Sequence, residues 1–453
     1  HRGPHRPRDY RGIPRPESQL RETRIARRFH SSVFYGSELI MKLIREIDYL
    51  LLATTVATVT LGVTAIYSAA YHSDSQAVQI AWIKQARFAV IALLGTLVIV
   101  HIPNKALYGL SYPFYGMALL SLLAVLFWGT GEDAARWLHI GPLRLQPSEF
   151  AKIASIIALA RYLSDCSADQ VNQAQHFIGA LMLCLIPMAL IVRQPDLGTA
   201  ISFGAPLLPM LYWAGMRRVY IFFVLSPLLS VVFSFEPLWQ GAAPYLFATF
   251  ITGSNVAVHL LLGRLLFTVS IFLTNLASGL VTVYLWDHFL RPYQKDRIMT
   301  FLDPESDRLG TGWNIIQSKI AIGSGGLTGK GFLEGTQTKY EFLPAAHTDF
   351  IFSVVGEELG FLGALITLSL FFFLIVRALY ISSITKNRFY SLIAVGLGSM
   401  LAFHVFVNVG MTIGVMPVTG LPLPFLSSGG SSLLANLLAV GLLMHIFAYR
   451  HEY

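Results

Sequence analysis

Five clusters of polar residues interrupt long apolar stretches of this sequence. The most suggestive of them is FLPAAHTDF (342–350), in which His347, Thr348 and Asp349 come directly before an apolar run. An aspartate in the first turn of a helix is favoured by the helix dipole, so a helix cap is one interpretation of Asp349. A carboxylate at the edge of a partly desolvated cavity can instead act as a general base. We therefore treat Asp349 as a candidate base, with His347 and Thr348 as candidate substrate contacts.

A second cluster places two opposite charges inside an apolar helix, in LQPSEFAKIASIIALARYL (145–163). Pro147 suits a first helical turn, and Glu149 and Lys152 are three residues apart, so they share one face. Ionisable groups inside membrane spans usually face the bundle interior and pair with one another. The pair is either a structural ion pair or part of a cavity wall, with Ser148, that positions a substrate, and the two interpretations are compatible.

The third cluster, IVRQPDLGTA (191–200), has Arg193 and Asp196 on either side of a proline. One interpretation is a turn closed by a local ion pair between these two side chains. The other is that Arg193 and Asp196 contact an anionic substrate.

The glycine-rich segment AIGSGGLTGKGFLEGTQ (321–337) resembles a phosphate-binding loop only superficially. A Walker A motif is G-x-x-x-x-G-K-[ST], and here Ser324 and Gly331 stand where Gly and Ser/Thr belong. The glycines more simply permit tight turns. Lys330 would still be able to meet a pyrophosphate as a point charge.

The last cluster, PLPFLSSGGSS (422–432), places a Ser/Gly turn before the final apolar run. Ser431 or Ser432 would cap the following helix. Alternatively, the hydroxyls and amides of this turn would bind a sugar or a phosphate, with the candidate residues Ser428, Gly429, Gly430 and Ser431.

The composition determines which elements position these clusters. Of the 453 residues, 54% are hydrophobic and 13% charged, whereas a soluble domain has about 25% charged residues. The apolar runs suit α-helical spans of roughly 20 residues, so we predict an all-α membrane bundle of about ten core spans. The predicted spans lie near 48–68, 79–101, 107–128, 148–163, 176–192, 197–215, 218–235, 350–376, 389–413 and 431–448, with a possible extra hairpin in 242–287.

Short loops rich in Lys and Arg mark the cytoplasmic side, and these loops predict a cytoplasmic N-terminus. The long segment 289–348 then lies outside, and 242–287 must cross the membrane an even number of times. Residues 1–40 contain nine Arg and four acidic residues. We expect 1–40 to be a leader outside the membrane domain 41–453. A nucleic-acid-binding arm is the weaker alternative, because no groove-reading motif supports it.

Taken together, the motifs resemble those of the SEDS family (shape, elongation, division and sporulation), and most closely its rod-shape-determining, RodA-type branch. The resemblance rests on QPSEFAK (146–152), RQPDLGTA (193–200), the segment 301–337, FLPAAHTDFIFSVVGEELG (342–360) and PLPFLSSGGSS (422–432). This chain departs from the family pattern at Ala345 and Ala346, where an acidic residue is usual, and at Ser427, where an aromatic is common.

The resemblance implies a peptidoglycan glycosyltransferase that polymerises lipid II at the outer face of the bacterial cytoplasmic membrane. It implies a class B penicillin-binding protein as partner, undecaprenyl pyrophosphate as leaving product, and support by a divalent cation such as Mg²⁺. The family's essential aspartate matches Asp349, and its Glu and Lys of the fourth span match Glu149 and Lys152. A nucleic-acid partner is not expected.

In the expected reaction, Asp349 takes the proton of an acceptor hydroxyl, or holds the metal, and Lys152, Arg193 and Lys330 are candidates to stabilise the leaving pyrophosphate. Two rivals stay open. A lipid II flippase would need polar groups through the membrane depth and on both faces. A non-catalytic scaffold would leave the HTD triplet and the polar outer loop unexplained.

Overall fold

The computed structural model describes residues 47–130, 136–141, 143–239, 241–290, 292–307 and 311–452. The described part is 76% helical and has almost no strands, which confirms the predicted all-α class. The expected leader 1–40 lies outside the described residues.

The N-terminal half contains ten helices and one β-hairpin among its described residues. The helices are α1 (Tyr49–Tyr71), α2 (Gln76–Gln79), α3 (Ala81–Ile99), α4 (Asn104–Gly109), α5 (Ser111–Trp128), α6 (Pro147–Asp165), α7 (Ala168–Val171), α8 (Ala174–Arg193), α9 (Leu197–Ser202) and α10 (Leu207–Trp213). Strands β1 (Leu138–Ile140) and β2 (Leu143–Leu145) pair antiparallel, with Leu138 opposite Leu145, and lead directly into α6.

The C-terminal half continues with helices α11 (Arg218–Ser234), α12 (Glu236–Trp239), α13 (Ala243–Leu262), α14 (Leu265–His288), α15 (Pro292–Leu302), α16 (Thr311–Ser324), α17 (Thr336–Lys339), α18 (Ile351–Glu358), α19 (Gly360–Ile384), α20 (Arg388–Thr412) and α21 (Gly430–Ala448), with a 3₁₀ turn at Pro304–Asp307. Three of these helices, with that turn, lie in the predicted outer segment 289–348, so the described part of the segment is largely folded.

Eight helical stretches of the described chain are long and apolar enough to cross a membrane: α1, α2–α3, α5, α8, α14, α19, α20 and α21. Helix α6 carries buried charges, the predicted span 197–215 is broken into α9 and α10, and α11 has only 17 residues. The exact number of crossings therefore stays a prediction. The predicted hairpin in 242–287 does consist of two helices, α13 and α14, joined at Gly263 and Arg264.

The buried centre of the bundle consists of α6, α20 and α21. Helix α6 packs against α5, α20 and α21, and α20 also packs against α19. Pro147 occupies the first turn of α6, as its fixed φ favours. Because most side chains of α6 are buried, its polar residues project into the bundle rather than into lipid.

Helices α11, α13 and α14 pack mainly on one another. Their shared interface contains small and polar residues that allow close approach, as is typical of membrane helices. Asn275 donates to Ser254 Oγ at 3.3 Å, and Ser230 Oγ donates to the Asn275 carbonyl at 3.0 Å. The ring of Phe247 lies where a Cβ on Gly279 would be.

The predicted span 350–376 is wrong in its boundary, because the helix breaks before it becomes a long apolar span. Helix α18 ends at Glu358, and α19 begins at Gly360, whose φ is +64°. A Cβ at Gly360 would lie 2.3 Å from Gly329 N, so the glycine-rich loop packs directly into the break. Glu357 and Glu358 thus lie at this break rather than inside a continuous span.

Candidate active site

The predicted pair on α6 is present and continues to a third side chain. Lys152 Nζ donates to Glu149 Oε1 at 2.9 Å, and both side chains are at most 3% exposed. Nζ also lies 3.2 Å from Nε2 of His404, which α20 contributes. Ser148, the other predicted residue here, is buried beside Glu149 on the first turn of α6. The bundle therefore encloses a hydrogen-bonded Glu–Lys–His group.

Asp349 lies half-buried in the loop before α18. It does not occupy the N-cap position of that helix, which belongs to Phe350. Asn408 of α20 donates through Nδ2 to the main-chain carbonyl of Asp349 at 3.0 Å. A Cβ at Gly420 would lie 3.6 Å from Asp349 Oδ2. The carboxylate thus lies close to the backbone of the loop that connects α20 to α21, and Asp349 is not the N-cap residue of α18.

His347 borders a polar pocket of about 260 Å³ on the same loop. Ser73, Thr338 and Glu341 line other walls of this pocket. Burial lowers the pKa of His347 below its usual 6.5, which favours the neutral ring at neutral pH. Thr348 Oγ1 donates to the Ala345 carbonyl at 3.3 Å, so its hydroxyl helps to close the turn before Asp349.

Asp196 does not form the local ion pair with Arg193 that was one of the two interpretations of this segment. It pairs with Arg136 (Nε–Oδ2 3.4 Å), which precedes β1, rather than with Arg193. It also caps α9, because it accepts from Thr199 N at 3.1 Å and from Thr199 Oγ1 at 2.9 Å. Arg193 lies exposed at the end of α8. A pocket of about 170 Å³ between Arg136, Asp196 and Thr419 opens beside this ion pair.

Lys330 has a carboxylate partner within the protein. Its Nζ lies 2.7 Å from Oε1 of Glu357, whose side chain is fully buried. The same carboxylate accepts from the backbone N–H groups of Thr336 and Gln337 at 2.9 and 3.2 Å. Glu357 thus holds the glycine-rich loop against the break between α18 and α19. A contact between Lys330 and a phosphate stays a prediction.

The Ser/Gly turn before α21 is held by hydrogen bonds to other elements. Ser428 N donates to the His347 carbonyl at 3.0 Å, and Gly429 N donates to Gln85 Oε1 at 3.1 Å. Ser431 Oγ accepts from Gln146 N at 3.0 Å and does not cap α21, which begins at Gly430 after Gly429 in the N-cap position. The predicted cap is therefore wrong, and two of the amides proposed for a ligand are already engaged.

An apolar groove of about 500 Å³ lies on the side of α6 away from the ion pair. Helices α3, α4, α5, α6 and α21 and the β-hairpin contribute to its walls. Its lining from α6 includes Pro147, Phe150, Ile153, Ala154 and Ile157. The dimensions and chemistry of this groove suit a hydrocarbon chain.

Three residues of this region were not identified from the sequence, and they are Arg136, His404 and Asn408. The segment HVFVNVG (404–410) contained the only available signal for two of them, a histidine and an asparagine four residues apart in an apolar helix. Polar residues in such a helix usually face the bundle interior. Arg136 has no comparable signal, because only the fold brings it to Asp196.

Within the described residues, no group of three His, Cys, Asp or Glu side chains is arranged to hold a metal ion. Mg²⁺ is usually held by one or two carboxylates together with substrate phosphates and water, so such a cluster is not required for it.

The fold and the buried polar groups define a polytopic helical membrane protein with a polar site between its central helices. The profile of the FtsW/RodA/SpoVE cell cycle proteins matches residues 48–247 and 243–452. The chain belongs to this family, which confirms the resemblance described from its motifs.

Named relatives agree with this assignment. Peptidoglycan glycosyltransferase RodA of Treponema pallidum is 39% identical over 89% of this chain and 98% of its own length. Peptidoglycan glycosyltransferase MrdB of Escherichia coli K12 is 38% identical over 80% of this chain and 84% of its own length.

Two solved structures are similar along nearly the whole chain. A chain from a peptidoglycan synthase complex that coordinates polymerisation and crosslinking is 29% identical, with a TM-score of 0.64, and the match covers 90% of this chain and 99% of that one. Rod shape determining protein RodA of Thermus thermophilus is 26% identical, with a TM-score of 0.57, over 90% and 98% of the two chains.

Proposed function

We propose that this chain is a peptidoglycan glycosyltransferase that polymerises lipid II, with Asp349 as the general base. The class of enzyme is supported by family membership and by two relatives of this name, which match this chain over 98% and 84% of their own lengths. The observation that supports the assignment of the base is the anchoring of Asp349. Its backbone is fixed by Asn408 of the central helix α20, while its carboxylate faces the α20–α21 loop.

In the proposed reaction, Asp349 accepts the proton of a sugar hydroxyl as that oxygen attacks the anomeric carbon of the donor. The new bond is the glycosidic C–O bond, and the bond that breaks joins the anomeric carbon to the pyrophosphate. The products are the lengthened glycan and undecaprenyl pyrophosphate. Attack from the face opposite the leaving group converts an α-linked donor into a β-linked product.

The departing pyrophosphate needs positive charge near it. Among the three predicted cations, Lys152 and Lys330 are paired with Glu149 and Glu357, whereas Arg193 is exposed. We therefore propose Arg193 as the first contact for the phosphates. Lys152 would contribute by holding Glu149 in place, and Lys330 by ordering the glycine-rich loop.

A divalent cation, Mg²⁺, remains part of the proposal. Because the described residues form no metal cluster, a single carboxylate and the pyrophosphate oxygens would hold it, and Asp349 would be that carboxylate only if another group takes the acceptor proton. When bound, the ion would supply charge neutralisation at the leaving group.

The apolar groove beside α6 is the proposed site for part of the lipid tail, because it is lined by aliphatic and aromatic side chains. We further propose a class B penicillin-binding protein as partner, since a solved relative comes from a complex that couples polymerisation to crosslinking. The positive-inside pattern of the loops supports a site on the outer face of the cytoplasmic membrane.

The buried Glu149, Lys152 and His404 would also suit a transport path, so lipid II flipping is the second candidate function. The deciding experiment measures glycan polymer from purified lipid II, with wild type and Asp349→Asn compared at equal folded amounts. Each protein is assayed with and without a class B penicillin-binding protein, and with Mg²⁺ or a chelator.

Polymer from wild type and a loss of about 10²-fold or more in the Asn variant would support the proposal. Polymer from both proteins would move the base elsewhere, with Glu149 the next candidate. If the wild type makes no polymer in any condition but moves lipid II across vesicles, the flippase assignment replaces ours.

A further inference from the structure

Helix α20 places two buried polar side chains, His404 and Asn408, four residues apart. Residues at this spacing share one face of a helix and are separated by about 6 Å along its axis. His404 is 2% exposed and Asn408 is 0% exposed. Because burying a polar group is unfavourable unless it forms hydrogen bonds, the partners of these two residues indicate what they do.

His404 contacts the ion pair on α6. Its Nε2 lies 3.2 Å from Lys152 Nζ, and the same Nζ donates to Glu149. An ammonium group has donors but no acceptor, so Nε2 is the acceptor and the proton of the neutral ring is on Nδ1. His404 therefore fixes the direction of the lysine side chain, which would otherwise be held by Glu149 alone.

Asn408 contacts the loop that contains the proposed base. Its Nδ2 donates to the carbonyl of Asp349 at 3.0 Å and to the carbonyl of Leu421 at 2.8 Å. Both amide hydrogens are thus used to join two separate loops. Within the described part of the chain its Oδ1 has no hydrogen-bond partner. A buried acceptor without a hydrogen bond lowers stability, so the two hydrogen bonds that Nδ2 donates are the reason we assign for an asparagine at this position.

We propose that His404 and Asn408 are positioning residues, which set the distance between the Glu149–Lys152 pair and Asp349 through one turn of α20. This inference rests on the proposed function, in which both groups serve one reaction. Neither residue contacts the reacting atoms. A rigid helical turn suits the task, because a misplacement of about 1 Å can lower a rate by about 10²-fold.

For His404, the test compares three variants for steady-state polymerisation of lipid II and for thermal unfolding. His404→Phe keeps an aromatic ring but removes the acceptor, and His404→Gln restores an acceptor oxygen. The matched control is His445→Phe, because His445 is equally buried but contacts the Val100 carbonyl in another part of the bundle.

We expect His404→Phe to lower kcat by about tenfold to a hundredfold, with KM changed less than about twofold. His404→Gln should recover at least about a third of wild-type kcat at an unfolding midpoint equal to that of the Phe variant. The control should stay within about twofold of wild type. Wild-type kcat in the Phe variant overturns the proposal, and so do losses that follow the unfolding midpoint in all three variants.

For Asn408, the informative change is Asn408→Leu, which removes both donated hydrogen bonds while keeping the branched shape and the number of side-chain heavy atoms. Asn275→Leu is the matched control, since Asn275 is also fully buried and also has an Oδ1 without a partner in the described chain. We expect a fall in kcat of about tenfold or more in the first variant and about twofold or less in the second, each measured on folded protein.

Equal kcat in the two Asn variants overturns the role of Asn408. If the proposed function itself is wrong, the result is different, because the wild type then makes no polymer. In that case the positioning role is overturned as well.

Discussion

Glu357 and Lys330 form an ion pair in which the carboxylate is fully buried and the ammonium is about a quarter exposed, at an Nζ–Oε1 distance of 2.7 Å. The carboxylate also receives the backbone amides of Thr336 and Gln337. One side chain at the end of α18 therefore holds a loop that is some twenty residues away in sequence.

Replacing Glu357 with Ala should unfold this arrangement locally, because a partly buried ammonium and two backbone amides lose their acceptor. We expect a loss of about 3 kcal/mol in the free energy of unfolding, and strongly reduced polymerisation. The measurement is thermal or chemical unfolding in detergent, alongside the lipid II assay. Glu334→Gln, an exposed position in the same loop, is the control, and an equal loss there would contradict the assigned role.

The role of Lys330 can be separated from that of the ion pair with a double variant. Removing both partners of a buried interaction costs less than removing one, so Lys330→Met with Glu357→Gln should be more stable than Glu357→Gln alone. If Lys330 has only a structural role, activity recovers together with stability. If it contacts the pyrophosphate, stability recovers and activity does not.

Charge exchange on α6 tests the pair of Glu149 and Lys152. Each single reversal places two like charges about 3 Å apart in a buried site and should abolish activity. Exchanging both restores opposite charges, and His404 is able to donate to a carboxylate through its other tautomer. We expect the double exchange to exceed either single variant in polymer formed, and strictly additive losses would contradict the pairing.

Stability should depend on the protonation of His347. Burial lowers the pKa of this ring in the folded state, so the unfolded chain binds more protons near pH 6.5 and below. Above about pH 6.5 this histidine does not reduce the free energy of unfolding. As the pH falls from there through the lower folded-state pKa, the free energy of unfolding decreases. As the pH is lowered from 8 to 5, the unfolding midpoint should therefore decline less steeply in His347→Gln than in wild type. The control is His101→Gln, which alters an exposed histidine and should leave the slope of the wild type unchanged.

The break between α18 and α19 should not tolerate a side chain. Gly360 has a φ of +64°, and a Cβ there would lie 2.3 Å from the backbone of Gly329. Gly360→Ala should lower the unfolding midpoint and the yield of folded protein. Gly323→Ala is the matched control in α16, where a Cβ meets nothing within 4 Å, and it should be neutral or slightly stabilising. Equal midpoints in the two variants would contradict the assigned close approach.

The sequence predicted the elements well where apolar runs were long, because a membrane helix needs a continuous apolar length. It also predicted the contact between Glu149 and Lys152, because a spacing of three residues places both on one helix face. The break at Gly360 was missed, although Glu357 and Glu358 interrupt the apolar run directly before it. Composition alone does not reveal that the φ of one glycine is positive.

The partners of the charged residues were less predictable than the residues themselves. Asp196 was expected beside Arg193 because they are close in sequence, but the β-hairpin brings Arg136 to it instead. Lys330 was expected to be available to a phosphate, and the helix break supplies Glu357. Side-chain pairing of this kind depends on contacts between distant segments, and local patterns contain no information about them.

Helix α6 borders two very different surroundings. Glu149 and Lys152 occupy its face toward the bundle interior, while Phe150, Ile153 and Ile157 line the apolar groove on another face. Helix α6 thus borders both the groove proposed for the lipid tail and the Glu149–Lys152 ion pair. If α6 moves as one rigid helix, a change in the width of the groove also shifts Glu149 and Lys152, and we therefore expect the geometry of the site to depend on the thickness and chain composition of the surrounding bilayer.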